Sequence, residues 1–182
     1  NFAPVADINS NPKNPIIGNR SFGESAEHVS KLSAAYMRGL QENGVLSCAK
    51  HFPGHGDTDS DSHKTLPVIR HSKYRLNKIE LVPFKYLIKK GLGSMMIAHL
   101  RIPSIDNSKN IASSLSKKVV TNLLKQELGF QGLVFTDALN MKGVSDYFAS
   151  GELDLKALLA GNDVLLMSED IPVAIEKIKD AL

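Results

Sequence analysis

Five short apolar runs, each separated from the next by helix-forming sequence, limit the folds open to this chain. They fall at residues 2–7, 45–52, 94–100, 133–137 and 163–167. Runs of this length, bounded by polar or turn residues, read as buried strands. Between them, Ser25 can cap a helix with an apolar face of Val29, Leu32, Tyr36 and Leu40, closed by Gly44. Pro83 suits the first turn of a short helix ending at Gly91. Ser114 or Ser116 opens a third, carrying Val119, Val120, Leu123, Leu124 and Leu128 and followed by Gly129. Residues 153–160, ahead of Gly161, form a fourth. Tyr36, Leu123 and Leu128 are assigned to the core.

Alternating strands and helices imply parallel strands joined by right-handed crossovers. An open doubly wound sheet and a closed (β/α)8 barrel both satisfy that rule. Polar residues at the ends of the runs separate them: Asp7 and Asn9, Lys50 and His51, His99 and Arg101, Asp137 and Asn140. In a barrel, every such end opens on one face, where chemistry gathers. In an open sheet, ligand contacts concentrate at one switch point. The expectation is an α/β fold, a (β/α)8 TIM barrel, of which residues 1–182 form a C-terminal portion of about five strand–helix units. Residue 1 starts as if inside a strand and residues 171–182 read as a helix without a C-terminal cap, so the sequence reads as a piece of a longer chain.

Composition removes several classes. The chain has 182 residues, 42% hydrophobic and 23% charged, which is ordinary for a globular domain. Lys plus Arg is 22 and Asp plus Glu is 19, and a net charge of +3 is too small to argue for nucleic acid or an acidic membrane surface. Cys48 is single, so no intramolecular disulfide forms. No run approaches the roughly 18 apolar residues of a membrane span. Neither a Walker loop nor a G-x-G-x-x-G turn is present, so a nucleotide cofactor has no support. Oligomeric state is left open, as is the compartment, cytoplasm or periplasm.

The densest chemistry lies in residues 50–63, K-H-F-P-G-H-G-D-T-D-S-D-S-H. Asp57, Asp59 and Asp61 match the opening of a calcium-binding EF-hand loop. Ser62 stands where the bend needs Gly, and Val68 where the bidentate Glu belongs. His51 and His55 are four apart, but Pro53 and Gly54 between them oppose the helix that would set both rings on one zinc ion. No metal is therefore expected. Acid–base chemistry fits better. Asp61 and His63 are two apart, and a carboxylate beside an imidazole orients the ring for proton transfer near neutral pH. Such a dyad needs a nucleophile or an activated water elsewhere, and the candidate is Asp137, at the end of an apolar run. Taken alone, Asp137 reads equally well as a helix cap after a strand.

The loop 50–63 resembles the signature of bacterial β-N-acetylglucosaminidases of glycoside hydrolase family 3. A-P-V-A-D at 3–7, G-N-R-S-F-G at 18–23 and G-L-V-F-T-D-A-L-N-M at 132–141 extend the resemblance along the chain, in order. The resemblance implies a partial catalytic barrel of the family's N-terminal type over 1–182 and a retaining, two-step mechanism. In it Asp137 is the nucleophile, His63 the acid–base and Asp61 its partner. It further implies that Arg20, Lys50 and His51 bind the sugar, with Asp7 as a strand-end acceptor. The implied substrate is terminal N-acetylglucosamine on peptidoglycan fragments or chito-oligosaccharides. An imidazole base would also repel an anionic acceptor less than a carboxylate would, which admits phosphate in place of water. The rival readings are a family 3 glycosidase for another β-sugar such as glucose, whose relatives lack the Asp-x-His loop, and a non-catalytic sugar-binding barrel. His55 is read as structural. His99 fits either role.

Overall fold

The computed structural model describes residues 2–59 and 66–182. Its sheet holds β1 (Cys48–Phe52), β2 (Ser94–Ile97), β3 (Leu133–Ala138) and β4 (Val164–Leu166). All neighbours are parallel and the spatial order is β1-β2-β3-β4. Chain order equal to spatial order is the barrel rule; a doubly wound sheet reverses at its switch point. β2 and β3 stay in register from Ser94 opposite Leu133 to Ile97 opposite Thr136.

The first expected strand is reduced to one bridge, Val5 with Lys50. The segment still runs beside β1: Cys48 N–H donates to Ala3 O at 2.7 Å, Lys50 N–H to Pro4 O at 3.0 Å and Ala6 N–H to Lys50 O at 2.6 Å. Pro4 has no N–H to return, so the ladder cannot lengthen there. The second run loses Val45, Leu46 and Ser47 from the strand, and Val45 N–H instead closes the turn after the first helix by donating to Leu40 O at 3.0 Å.

Helices pack on one side of the sheet. α1 (Ala26–Gln41) precedes β1, and α2 (Lys73–Lys78) and α3 (Val82–Lys89) precede β2. A π-helix over Lys118–Glu127 precedes β3. α4 (Lys142–Ser145) and α5 (Glu152–Ala160) precede β4, and α6 (Ile171–Ala181) follows it. Ala49, Met95, Ile97 and Val134 point from the strands into one core with Met37, Phe84, Leu87, Val120, Leu123 and Leu124. The period-2 alternation sends Lys50, Met96, Phe135 and Asp137 to the opposite, concave face.

α1 sits rotated from the expected face. Val29, Ser30, Ser33 and Met37 are buried, while Leu32 and Tyr36 are exposed, so Tyr36 is not a core residue. The small serines let α1 approach the chain closely, and Ser33 Oγ donates to Val5 O at 3.4 Å. Leu123 is buried as expected, and Leu128 packs on the core while partly exposed.

Candidate active site

The site begins with a carboxylate that does not reach it. Asp7 is completely buried at the end of the segment beside β1. Its oxygens accept the His51 backbone N–H at 3.1 and 3.2 Å, the His55 backbone N–H at 2.7 Å, and His51 Nδ1 at 2.7 Å. Burial alone would raise its pKa. The charge and hydrogen bond of His51, reinforced by His55, outweigh burial and hold the group below the usual carboxylate value. Asp7 thus ties down the loop through the backbone of His51 and His55, and it is not among the residues that line the cavity.

The Asp7 carboxylate can only accept, so His51 Nδ1 carries the proton of their contact, and in the neutral ring Nε2 is then the acceptor. Arg20 Nη2 stands 3.5 Å from that atom. Arg20 ends a 3-10 turn, Gly18–Arg20, and also donates from Nη1 to Ile16 O at 3.3 Å. Two groups that the sequence separates by 31 residues thus meet at one edge of the concave face.

His55 is buried and holds its own loop. Thr58 Oγ1 donates to His55 O at 3.0 Å, which requires His55 Nδ1 to donate to Thr58 Oγ1 across their 2.7 Å contact. Burial pushes the His55 pKa down. Gly56 follows because nothing larger fits: a Cβ there would lie 1.8 Å from Ile8 O. Asn14 was not singled out from the sequence, yet it joins the two loops of the site. Its Nδ2 donates to His55 O at 2.8 Å and to Thr58 Oγ1 at 3.1 Å. Its Oδ1 accepts from Ile16 N–H and Ile17 N–H at 2.9 and 2.7 Å, fixing the turn that delivers Arg20. The N-P-K-N-P run at 11–15 was the available signal, a turn rigid enough to carry a side-chain clamp.

Asp137 is the penultimate residue of β3, half-buried, with Oδ1 accepting Ala138 N–H at 2.9 Å. The backbone just beyond is pinned by His99, whose Nε2 contacts Ala138 O at 3.0 Å and whose Nδ1 contacts Ser114 Oγ at 2.7 Å. Those contacts give the buried His99 a supporting place behind β3. Lys50 is half-buried on the adjoining concave surface. Burial, then the neighbouring Arg20 charge, lowers its pKa, while Asp137 and Asp7 oppose the fall.

Arg20, Lys50, His51, His55 and Asp137 line one cavity of about 370 Å³, with apolar walls from Phe2, Ile16, Met96, Leu166 and Met167. A pocket of this size suits a small organic ligand. Among the described residues it sets one accessible carboxylate against several cationic or N–H donors, a set able to hydrogen-bond a polyhydroxylated molecule. Of the expected residues, Arg20, Lys50, His51 and Asp137 come together. Asp61 and His63 lie outside the described residues.

A family model described as the glycosyl hydrolase family 3 N terminal domain matches residues 1–182. The chain is 43% identical over 190 residues to beta-hexosaminidase A of Pseudoalteromonas piscicida, covering 99% of this chain and 31% of that protein. The structure of a glycoside hydrolase family 3 beta-N-acetylglucosaminidase from Paenibacillus sp. str. FPU-7 superposes with a TM-score of 0.96 at 42% identity, covering 100% of this chain and 35% of that one. NagZ from Neisseria gonorrhoeae, solved in complex with N-trifluoroacetyl-D-glucosamine, superposes with a TM-score of 0.83 at 31% identity, covering 100% of this chain and 50% of that one. The chain thus spans between about a third and a half of the length of these relatives.

Proposed function

From the premise that this chain belongs to the glycosyl hydrolase family 3 N-terminal domain family, we propose that the protein is a retaining exo-β-N-acetylglucosaminidase. Its substrate is a terminal β-linked N-acetylglucosamine on a peptidoglycan fragment or a chito-oligosaccharide. The observation that carries the reading is that Asp137 opens on the same cavity as Arg20, Lys50 and His51. The relatives named as hexosaminidases, and the N-acylated glucosamine bound by the gonococcal relative, support the choice of sugar.

In this account, an Asp137 oxygen attacks the anomeric carbon as the glycosidic C–O bond breaks, and a proton from His63 goes to the departing oxygen. Water then gives its proton to His63 and attacks the same carbon, releasing Asp137 and a sugar of retained configuration. Asp61 orients the imidazole. Lys50 and Arg20 donate to sugar hydroxyls, and His51 Nε2 accepts from one. The acid–base group is an imidazole, not the second carboxylate of the usual retaining pair.

The test uses the full-length protein and two β-N-acetylglucosaminides, one with a good and one with a poor leaving group. Asp137→Ala is expected to lower kcat on both by about 10³-fold or more. His63→Ala is expected to slow the poor leaving group far more than the good one, because only the former needs a proton. Equal effects of His63→Ala on both substrates would remove it from the acid role. Preference for a β-glucoside would move the enzyme to the neighbouring specificity.

A further inference from the structure

A second group of potential ligand atoms gathers where the loop after β1 meets α2 and α3, apart from the cavity-lining residues. It consists of Asp57, His71 and Glu80, and one ligand atom from each lies within 4.8 Å of the other two. Asp57 Oδ2 and His71 Nε2 are in direct contact. Glu80 sits between α2 and α3, packed beneath the loop so closely that a Cβ on Gly54 would come within 3.0 Å of its Cβ. It is only 3% exposed.

The hydrogen bonding here is incomplete. Both Glu80 oxygens are shielded from solvent and neither accepts a hydrogen bond. Arg75 Nη2 stands 3.1 Å from Oε1 as an ion pair, yet the buried Arg75 Nε also has no acceptor. Buried carboxylates are normally hydrogen-bonded, or bound to a cation. Glu80 Oε2 and Arg75 Nε are left without any partner, beside an imidazole and a second carboxylate, so the carboxylate is open to a further ligand.

We propose that Asp57, His71 and Glu80 bind a divalent transition-metal ion of the zinc class. One imidazole nitrogen and two carboxylate oxygens are donors that zinc accepts, with a water completing four-coordination. Calcium requires six to eight oxygens and is poorly matched. With His71 as a neutral ligand and Arg75 counted, the cluster carries a formal charge of about −1, so a dication is attracted. Arg75, the cation facing Glu80, has a side chain 36% exposed and can turn outward as the ion enters. Neither Arg20 nor Lys50 belongs to the cluster, whereas both bring positive charge to the sugar cavity. In sequence, the three ligands bracket residues 58–70, so a bound ion cross-links the chain on either side of that stretch.

The experiment is calorimetric titration of the chelator-stripped, full-length protein with zinc chloride, with calcium chloride as the comparison. The expected result is one zinc site per chain, weakened at least about 10-fold by His71→Ala and by Glu80→Gln and unchanged by Asp137→Asn. His71 is partly exposed, so its variant keeps the test valid even where Glu80→Gln disturbs packing. Three outcomes would overturn the proposal: no stoichiometric zinc binding, zinc binding indifferent to His71→Ala, or zinc binding abolished by Asp137→Asn, which would put the ion in the sugar cavity. Tighter binding of calcium than of zinc would equally contradict the donor set.

Discussion

At the scale of single residues, the cavity depends on a carboxylate that does not line it. Asp7 accepts N–H groups from His51 and His55, and through His51 Nδ1 it decides which ring nitrogen faces Arg20. Asp7→Asn would place an NH2 group among those donors and remove the charge. The expected cost is about 1–3 kcal/mol of stability, measured by denaturant unfolding. A proton shift toward His51 Nε2 is also expected, visible in the nitrogen chemical shifts of that ring. The folded-state pKa of Asp7 is depressed, so its contribution to stability is present above the unfolded value of 3.8 and is lost as pH falls through the folded value. That part of the acid dependence should vanish in Asp7→Asn. The sequence marked Asp7 as a polar residue at a strand end, and that much was legible. Its inward orientation was not, because its partners lie 44 and 48 residues away on a loop whose path no local pattern encodes.

Among the elements, strands were read best and helix faces worst. Each strand is a short apolar run, fully buried in β2 and only partly so in β3 and β4, and length and hydrophobicity located all four, with only their ends trimmed. The face of α1 was misread because hydrophobicity favoured Leu32 and Tyr36, whereas close packing selected Ser30 and Ser33. The helix before β3 was recognised, but not its π form. Val119, Val120, Leu123 and Leu124 satisfy the ordinary helical period, and it is i−5 bonding, as from Leu128 N–H to Leu123 O at 2.9 Å, that marks the wider turn. Asp106 anchors the entry to this helix. It accepts from Ser116 Oγ at 2.6 Å, from Ser108 Oγ at 2.8 Å and from Lys118 Nζ at 3.1 Å. Burial opposes ionisation, but these hydrogen bonds win and bring its pKa down to about 2. A depressed carboxylate stabilises the fold above its unfolded pKa of 3.8, and the benefit disappears as pH falls toward about 2. Thermal melts of Asp106→Asn are therefore expected to show a lower Tm than the parent at pH 6, with the gap narrowing as pH falls toward 2. A constant gap across that range would mean that the carboxylate charge contributes nothing.

For the whole molecule, the decisive property is that consecutive strands are neighbours, which turns every strand exit toward one side. Arg20, Lys50, His51 and Asp137, spread over 118 positions, meet there because of that topology and not because of local sequence. The recurrence of polar residues at the ends of apolar runs made this legible, and it favoured the barrel over the open sheet. The Asn14 clamp and the Asp57, His71 and Glu80 cluster were not legible, since each needs two loops to fold onto one another. The central claim is that Asp137 attacks the anomeric carbon. It is tested most directly by incubating the full-length protein with a slow, fluorinated N-acetylglucosaminyl substrate and locating the adduct by peptide mass spectrometry. The account predicts one sugar ester per chain, on the peptide containing Asp137 and absent from Asp137→Asn. An adduct on another carboxylate, or turnover that inverts the anomeric configuration without any adduct, would contradict it.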